Sequence, residues 1–234
     1  MYKNKFTSAI VTAAGSGTRM KSQTNKPYLE IGTRSVIEMT LETITSIEEF
    51  DEIIMVIRKA DKGPAEKILA TFRDPRLRLV YGGASREEST YKGLLALDDK
   101  SELVLTHDGV RPFASKELFY TALKTLETHK AVITATRSKD TIKVVNDDME
   151  VDFTPNRDYV YNIQTPQAFD TRLIKSLYED YMDSEAKITD DSQLFEFFKR
   201  DEPVKVIDGD YENIKITTSE DIIFAKAIDK RRRS

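Results

Sequence analysis

A glycine-rich segment near the start of the chain carries the residues whose types and spacing point most directly to chemistry. Residues 13–20 contain Gly15 and Gly17, Arg19 lies close to the end of the segment, and Lys26 follows it. Glycine permits positive φ and close approach of the backbone, so successive N–H groups can converge on phosphate oxygens. Arg19 and Lys26 add formal positive charge. The segment therefore predicts a polyphosphate site, and with it nucleotide chemistry.

Two common glycine motifs do not fit this segment. A P-loop requires Gly-x-x-x-x-Gly-Lys-Ser/Thr, whereas Gly15 and Gly17 are separated by one residue and no Gly-Lys-Ser/Thr follows. A dinucleotide fingerprint requires a third glycine at the position that Met20 occupies. An ordinary turn between a strand and a helix also accounts for Gly-x-Gly alone. The prediction of phosphate binding consequently depends on the two cations, Arg19 and Lys26.

A second polar segment, residues 107–113, directly follows the apolar run 103–106. We expect Asp108 to lie at the same edge of a sheet as the glycine segment, because ligands of open α/β sheets bind at the carboxyl ends of the strands. Mg²⁺ is commonly held by one or two carboxylates and substrate phosphates, so Asp108 is a candidate ligand. A helix N-cap is the alternative explanation for this aspartate. His107 is predicted to be a packed or hydrogen-bonded residue, not a base.

Residues 82–89 join a predicted strand to a predicted helix. Gly83 leaves backbone groups open to a planar base, and Ser89 offers a hydroxyl. The same residues make a good helix start, with Ser85 as N-cap and Glu88 completing a capping box, and the two roles are compatible. Lys215 lies in a predicted strand, where an exposed lysine is the alternative to a functional one. Three further segments are more polar than a core requires: 139–143, 156–157 with 164–167, and 188–191.

The elements that would position these residues follow from an alternation of short apolar runs with segments of helical periodicity. Such alternation is typical of a parallel sheet covered by helices. It predicts a doubly wound, mostly parallel α/β fold. The predicted strands are 8–12, 52–57, 77–81, 103–106 and 131–135, and the predicted helices are 34–46, 63–72, 86–97 and 115–128.

The alternation stops near residue 137. Residues 141–145 and 149–153 flank the polar turn 146–148, which predicts a β-hairpin. A hairpin alone is marginally stable, so we expect this one to pack on another surface, such as that of a second subunit. We predict one domain over residues 1–234 with a β-arm at about 138–160. Helices are predicted at 170–181, at 190–199 and from 219, and strands at 204–207 and 213–217.

Composition narrows the choice of cofactor and partner. The 234 residues are 39% hydrophobic and 32% charged, which is ordinary for a globular protein. The absence of cysteine excludes disulfides, thiolate metal sites and cysteine nucleophiles, so a metal must bind oxygen ligands, which favours Mg²⁺. A net charge of −4 gives no general attraction to nucleic acid or to anionic membranes. No apolar run approaches the roughly 20 residues of a membrane span, and we expect a cytoplasmic protein.

Seven segments together resemble the 2-C-methyl-D-erythritol 4-phosphate cytidylyltransferase family. They occur in order over nearly the whole chain, and seven spaced motifs are far more specific than any single one. The resemblance implies a nucleotide-diphospho-sugar transferase fold and a homodimer held through the hairpin arm. It also implies the reaction of CTP with a polyol phosphate to give a CDP-polyol and pyrophosphate. The segments are 14–20, 26–29, 107–112, 140–143, 164–167, 189–191 and 213–217.

The resemblance also implies roles for individual residues. Arg19, Lys26 and Lys215 would be catalytic, the first two at the triphosphate and the third at the reacting phosphate. Asp108 would ligate Mg²⁺. The CTP site would comprise Ala13, Ala14, Gly15, Gly17, Gly83, Ser89 and Asp108, and the polyol phosphate site would comprise Arg111, Thr165 and Thr189 with Thr141 and Arg157 of the partner subunit.

The sequence departs from the family at two places. It has Lys26-Pro27-Tyr28 where members commonly have Lys-Gln-Tyr, and residues 107–112 read His-Asp-Gly-Val-Arg-Pro where many have His-Asp-Ala-Ala-Arg-Pro. The second difference is closer to ribitol 5-phosphate cytidylyltransferases of teichoic-acid synthesis, which leaves two acceptors open. Residues 140–143 and 189–191 favour methylerythritol phosphate. A non-catalytic nucleotide-binding module is the alternative from another class, and the charges at every point around the transferred group argue against it.

Overall fold

A seven-stranded sheet forms the centre of residues 1–15 and 25–233, which are the residues that this computed structural model describes. The elements in chain order are β1 (Thr7–Thr12), β2 (Glu30–Ile31), β3 (Arg34–Ser35), α1 (Val36–Thr45), β4 (Glu52–Ile57), α2 (Lys62–Phe72), β5 (Leu77–Tyr81), α3 (Arg86–Leu95), β6 (Leu103–Asp108), α4 (Lys116–Thr125), β7 (Ala131–Arg137), β8 (Val144–Val145), β9 (Val151–Phe153), β10 (Tyr161–Asp170), α5 (Thr171–Met182), α6 (Gln193–Phe198), β11 (Val204–Asp208) and α7 (Ser219–Arg233).

The sheet confirms the predicted doubly wound, mostly parallel fold. Its strand order is β11-β7-β10-β6-β1-β4-β5. Strand β10 runs antiparallel to β6 and β7, whereas the other neighbouring strands are parallel. Helices α1 to α7 occur at every predicted place. Among the described helices, none has both the length and the apolar character that crossing a membrane needs.

Strand β1 shows why the strands are continuous apolar runs in the sequence. Ala9 and Val11 pack with Phe119 of α4 in one buried cluster, whereas Ile10 packs with Tyr178 of α5 in another. Helices therefore cover both faces of the sheet, and every side chain of a central strand becomes buried. Each fully buried aliphatic or aromatic side chain contributes about 1.5–3 kcal/mol to folding. The carboxyl ends of β1, β4 and β6 consequently emerge together from a rigid, two-sided core.

Helix α3 begins at the predicted N-cap, but without the predicted capping box. The Ser85 side chain accepts a hydrogen bond from the Glu88 N–H at 3.0 Å. The Glu88 carboxylate accepts from the Ala84 N–H at 2.7 Å instead of from Ser85. Glu88 thus satisfies a donor of the loop before the helix, which fixes the path of residues 82–84.

Two strand predictions differ from the structure. The predicted strand over 213–217 is wrong, because this segment is held by loop contacts: the Ile216 N–H donates to Val110 O at 2.9 Å, and the buried Asn213 side chain donates to Thr165 O at 2.9 Å. Strand β10 was not predicted. It contains Pro166, which has no N–H to donate, and its register with β7 shifts between Gln164 and Gln167.

The predicted hairpin is present but short. In the described part of the chain, β8 and β9 pair with each other in a separate two-stranded sheet. Several of its apolar side chains are exposed, among them Val145, Met149, Val151 and Phe153. We refer to residues 138–160 as the arm.

Candidate active site

Two adjoining cavities open at the carboxyl ends of the central parallel strands. The larger cavity contains the described residues predicted to bind CTP, and we call it the donor cavity; its volume is about 440 Å³. The acceptor cavity has a volume of about 240 Å³. The donor cavity is lined by residues 12–15 at the end of β1, Asn25, Lys26, Pro27, Arg58, residues 83–86, Ser89, Asp108, Val110 and residues 215–217, and the acceptor cavity by Arg86, Asp108, Arg111, residues 163–165, Gln167, Thr189, Asp190 and Lys215.

Among the residues that the structure describes, three charged ones line both cavities: Arg86, Asp108 and Lys215. Arg86 is the first residue of α3, and Asp108 is the last residue of β6. Lys215 belongs to the loop that precedes α7. Because these side chains are common to both walls, groups bound in the two cavities would meet at this junction.

Asp108 is a buried carboxylate held by two cations. Its Oδ2 accepts from Arg111 Nε at 3.0 Å and lies 3.1 Å from Lys215 Nζ. Burial alone would raise the pKa of Asp108, but the charges of Lys215 and Arg111 hold that pKa well below its usual range. Asp108 is therefore ionised at neutral pH. The structure thus brings Lys215 to Asp108 and Arg111, which lie about a hundred residues earlier in the sequence.

The neighbouring His107 orients the Thr165 hydroxyl. His107 Nε2 lies 3.2 Å from Arg111 O, an acceptor, so Nε2 carries the proton and Nδ1 is the acceptor. The Thr165 hydroxyl therefore donates to Nδ1 at 3.0 Å, while its oxygen accepts from the Asp108 N–H at 3.0 Å. Burial lowers the pKa of His107 to about 4, so the ring is neutral at physiological pH. His107 is a packed, hydrogen-bonded residue, as predicted.

The predicted nucleotide-binding residues that are described all line the donor cavity: Ala13, Ala14, Gly15, Lys26, Gly83, Ser89 and Asp108. Gly15 does not adopt a positive φ, and a Cβ there would meet no atom of the described residues within 4 Å, so the expected positive φ at this position is wrong. The Ser89 hydroxyl donates to Ser85 O at 2.7 Å and accepts from the Gly83 N–H at 3.0 Å, which fixes the loop. Gly17 and Arg19 lie outside the described residues.

The predicted acceptor residues divide into two groups. Arg111, Thr165 and Thr189 line the acceptor cavity. Thr141 and Arg157 lie on the arm, are exposed, and line neither cavity. That these two residues serve the site of another copy of the chain stays a prediction.

The residues at the junction fit a magnesium ion that is bound mainly by phosphates. In the described part of the chain, no three His, Asp or Glu side chains form a metal-binding group. Of the described residues that line the donor cavity, Asp108 is the one with a carboxylate. Its contacts with Arg111 and Lys215 all use Oδ2. A single carboxylate with substrate phosphates is a common arrangement for Mg²⁺, so Asp108 stays the candidate ligand.

Sequence reasoning assigned no role to Arg86, the third residue at the junction. Its Nη1 pairs with Asp191 Oδ1 at 3.0 Å, and the charge of Asp191 raises the pKa of Arg86 above its usual range. One signal was present in the sequence. A cation in the first turn of a helix is opposed by the helix dipole, so an arginine directly after a glycine loop needs another reason to be there.

Comparisons with known proteins point to one family. The family model described as IspD, 2-C-methyl-D-erythritol 4-phosphate cytidylyltransferase, matches residues 7–231. Proteins with that name from Alkaliphilus oremlandii and Geobacillus kaustophilus are 37% and 41% identical over 97% and 94% of this chain and 96% and 95% of their own. The crystal structure of 4-diphosphocytidyl-2C-methyl-D-erythritol synthase from Anaerococcus prevotii is similar with a TM-score of 0.90, at 62% identity over 98% of each chain.

Proposed function

The chain belongs to the 2-C-methyl-D-erythritol 4-phosphate cytidylyltransferase family, and we infer from this that it transfers the cytidylyl group of CTP to 2-C-methyl-D-erythritol 4-phosphate. Pyrophosphate is the second product. The structural observation that carries this function is the junction at which the donor and acceptor cavities share Arg86, Asp108 and Lys215. A transfer between two phosphorylated substrates needs such a place, where the two phosphates meet.

The reaction requires little acid–base chemistry. A phosphate oxygen of the acceptor attacks the α-phosphorus of CTP, the bond from that phosphorus to the β-phosphate bridging oxygen breaks, and pyrophosphate leaves with the electron pair. The nucleophile is already an anion, so no general base is needed. The neutral, fully hydrogen-bonded His107 agrees with this requirement. Catalysis then consists of positioning the groups and stabilising charge.

Lys26 and Lys215 are the described cations that we assign to charge stabilisation. Lys26 lines the donor cavity, where it would face the leaving phosphates. Lys215 lies at the junction, and its ion pair with Asp108 keeps the ammonium there. A preorganised donor at developing charge is typically worth about 3–4 kcal/mol. Arg19, outside the described residues, is assigned to the triphosphate by the family resemblance alone.

The acceptor residues would act in different ways. The Arg111 guanidinium is engaged by Asp108 Oδ2, by Asn213 O at 2.7 Å and by Ile163 O at 3.4 Å, so it contributes mainly through its charge. The Thr165 proton is directed to His107 and one lone pair of its oxygen accepts from the Asp108 N–H, which leaves the second lone pair to accept from a hydroxyl group of the polyol. This arrangement suits a substrate that carries both a phosphate and several hydroxyl groups.

Magnesium, the dimer and the cellular location are part of the same proposal. Asp108 would hold Mg²⁺, which supplies positive charge to the phosphates when bound. A two-stranded sheet with exposed Val145, Val151 and Phe153 is marginally stable alone, which supports a homodimer in which the arm packs on a second copy. Thr141 and Arg157 would then complete the acceptor site of that copy. We keep the expectation of a cytoplasmic enzyme.

Identification of the products tests the function. The protein is incubated with CTP and Mg²⁺, and ³¹P NMR follows the phosphates with 2-C-methyl-D-erythritol 4-phosphate, with ribitol 5-phosphate, or with no acceptor. We expect a new diphosphate ester and pyrophosphate with the first acceptor. Reaction with ribitol 5-phosphate alone would support the alternative acceptor, and reaction with neither would support a non-catalytic binding module.

A further inference from the structure

Arg86 belongs to a buried polar network that reaches both substrate cavities. Its partner Asp191 is only 1% exposed. Asp191 Oδ1 accepts from Arg86 Nη1 at 3.0 Å and from the Tyr178 hydroxyl at 2.6 Å, and Oδ2 accepts from Thr106 Oγ1 at 2.7 Å. The carboxylate is thus fixed from three directions. The guanidinium that it holds is fixed as well.

The network connects the elements that form the two cavities. Arg86 directly follows the loop of the donor cavity, and Thr106 lies two residues before Asp108 on β6. Asp191 follows Thr189 and Asp190, which line the acceptor cavity. The position of the Arg86 guanidinium is therefore set jointly by the donor loop, the sheet and the acceptor segment.

The charge at the junction indicates what Arg86 binds. The three shared residues carry two positive charges and one negative charge, and Asp108 is already paired with Lys215 and Arg111. Arg86 uses Nη1 for Asp191. A guanidinium has five N–H donors in a planar fork, and that fork suits phosphate oxygens. The other N–H donors of Arg86 belong to a side chain that lines both cavities.

We propose that Arg86, oriented by Asp191, is a further phosphate-binding residue of the transfer. At the junction the Arg86 guanidinium contacts both the α-phosphate of CTP and the phosphate of the acceptor. This role rests on the proposed function. Arg86 aligns the attacking oxygen with the α-phosphorus, and its charge reduces the repulsion between the two anions. Asp191 is a positioning residue, because it acts through Arg86.

A purely structural role is the competing explanation, in which Arg86 only neutralises buried Asp191. Four variants separate the two. Arg86→Gln removes the charge but leaves Asp191 without its cation. The double variant Arg86→Gln/Asp191→Asn removes both charges and so relieves that defect. Arg86→Lys keeps the positive charge but loses the planar guanidinium. Tyr178→Phe removes a hydrogen bond to Asp191 and leaves the charges of Arg86 and Asp191 in place.

Each variant is examined by thermal unfolding, by CTP binding in calorimetry, and by steady-state kinetics with CTP and 2-C-methyl-D-erythritol 4-phosphate. We expect the double variant to fold, to bind CTP within about tenfold of the wild type, and to lose about a hundredfold in kcat. Arg86→Lys should recover about tenfold of that loss, since it restores the charge. Tyr178→Phe should keep kcat within about threefold of the wild type.

The outcomes are distinct. A folded double variant with kcat within about threefold of Tyr178→Phe would overturn the role of Arg86, and so would an Arg86→Lys variant with wild-type kcat and acceptor KM. Failure of the proposed function has a different signature, because the wild type itself would then release no pyrophosphate with this acceptor. If the double variant does not fold, Arg86→Lys decides by its kcat and its acceptor KM.

Discussion

A single methyl group at Gly82, the residue before Gly83 of the donor cavity, should damage nucleotide binding. A Cβ built there would lie 2.7 Å from Ala14 Cβ and 2.6 Å from Ser89 Oγ. Neither neighbour can retreat easily. Ala14 follows Ala13, whose N–H is bonded to Val56 O at 2.8 Å, and the Ser89 hydroxyl makes two hydrogen bonds that hold the donor loop.

The size of the expected effect follows from these contacts. Ordinary van der Waals contact begins at 3.4 Å, so the contact with Ala14 at 2.7 Å requires a displacement of about 0.7 Å (3.4 − 2.7). Overpacking of this kind typically costs about 1–3 kcal/mol of stability. Displacement of a substrate-positioning group by about 1 Å can cost a hundredfold in rate. We therefore expect Gly82→Ala to lower kcat/KM for CTP by about a hundredfold.

Thermal unfolding and steady-state kinetics at varied CTP concentration test this prediction, with Gly63→Ala as the matched control. Gly63 lies in the first turn of α2, and a Cβ there would meet no atom of the described residues within 4 Å. The control should keep its kinetics, because Gly63 lines neither cavity. No gain of stability is expected, since Gly63 precedes Pro64 and a side chain before proline disfavours the helical conformation. A Gly82→Ala protein with wild-type stability and wild-type kcat/KM for CTP would refute the assignment of this loop to the nucleotide.

Three further predictions concern catalysis, protonation and assembly. Lys26→Ala and Lys215→Ala should each lose at least about a hundredfold in turnover while the unfolding temperature stays near that of the wild type; near-normal turnover of either in a pyrophosphate-release assay would remove that residue from the mechanism. The pKa of His107 is lowered from 6.5 to about 4, so its contribution to stability is complete above pH 6.5 and is lost as the pH falls toward 4, by at most about 3 kcal/mol. With EDTA present and no nucleotide, NMR should therefore show the His107 ring neutral down to about pH 5, and a titration midpoint near 6.5 would contradict the burial argument. Light scattering should give a dimer, and Arg157→Ala should raise KM for the acceptor with little change for CTP; a wild-type monomer would remove Thr141 and Arg157 from the neighbouring site.

The sequence predicted the fold where one physical rule decides the structure. Runs such as residues 53–57 are apolar throughout because the strand is buried on both faces, so their type and bounds could be predicted. Strand β10 could not, because Pro166 and two glutamines interrupt the pattern of a strand. Residues 213–217 have the composition of a strand, yet tertiary contacts of Asn213 and Ile216 hold them as a loop.

Some residues of the candidate site could likewise be predicted from the sequence, whereas others could not. Asp108 ends β6, and Gly15 and Lys26 lie in the segment that follows β1, so the sheet topology alone brings them to one edge. The pairing of Arg86 with Asp191 depends on the packing of α3 against the segment after α5, which no local pattern contains. The direction of the Thr165 proton likewise depends on a contact with His107 in another strand.

The ratio of kcat/KM for 2-C-methyl-D-erythritol 4-phosphate to that for ribitol 5-phosphate, at saturating CTP and Mg²⁺, tests the central claim most directly. The family assignment and the polyol-facing Thr165 predict a ratio of at least about a hundred, because a site built for a particular set of hydroxyl groups discriminates strongly against a substrate that places them differently. A ratio below one would assign the enzyme to ribitol phosphate and contradict the acceptor inferred here. Absence of turnover with both acceptors would contradict cytidylyl transfer itself.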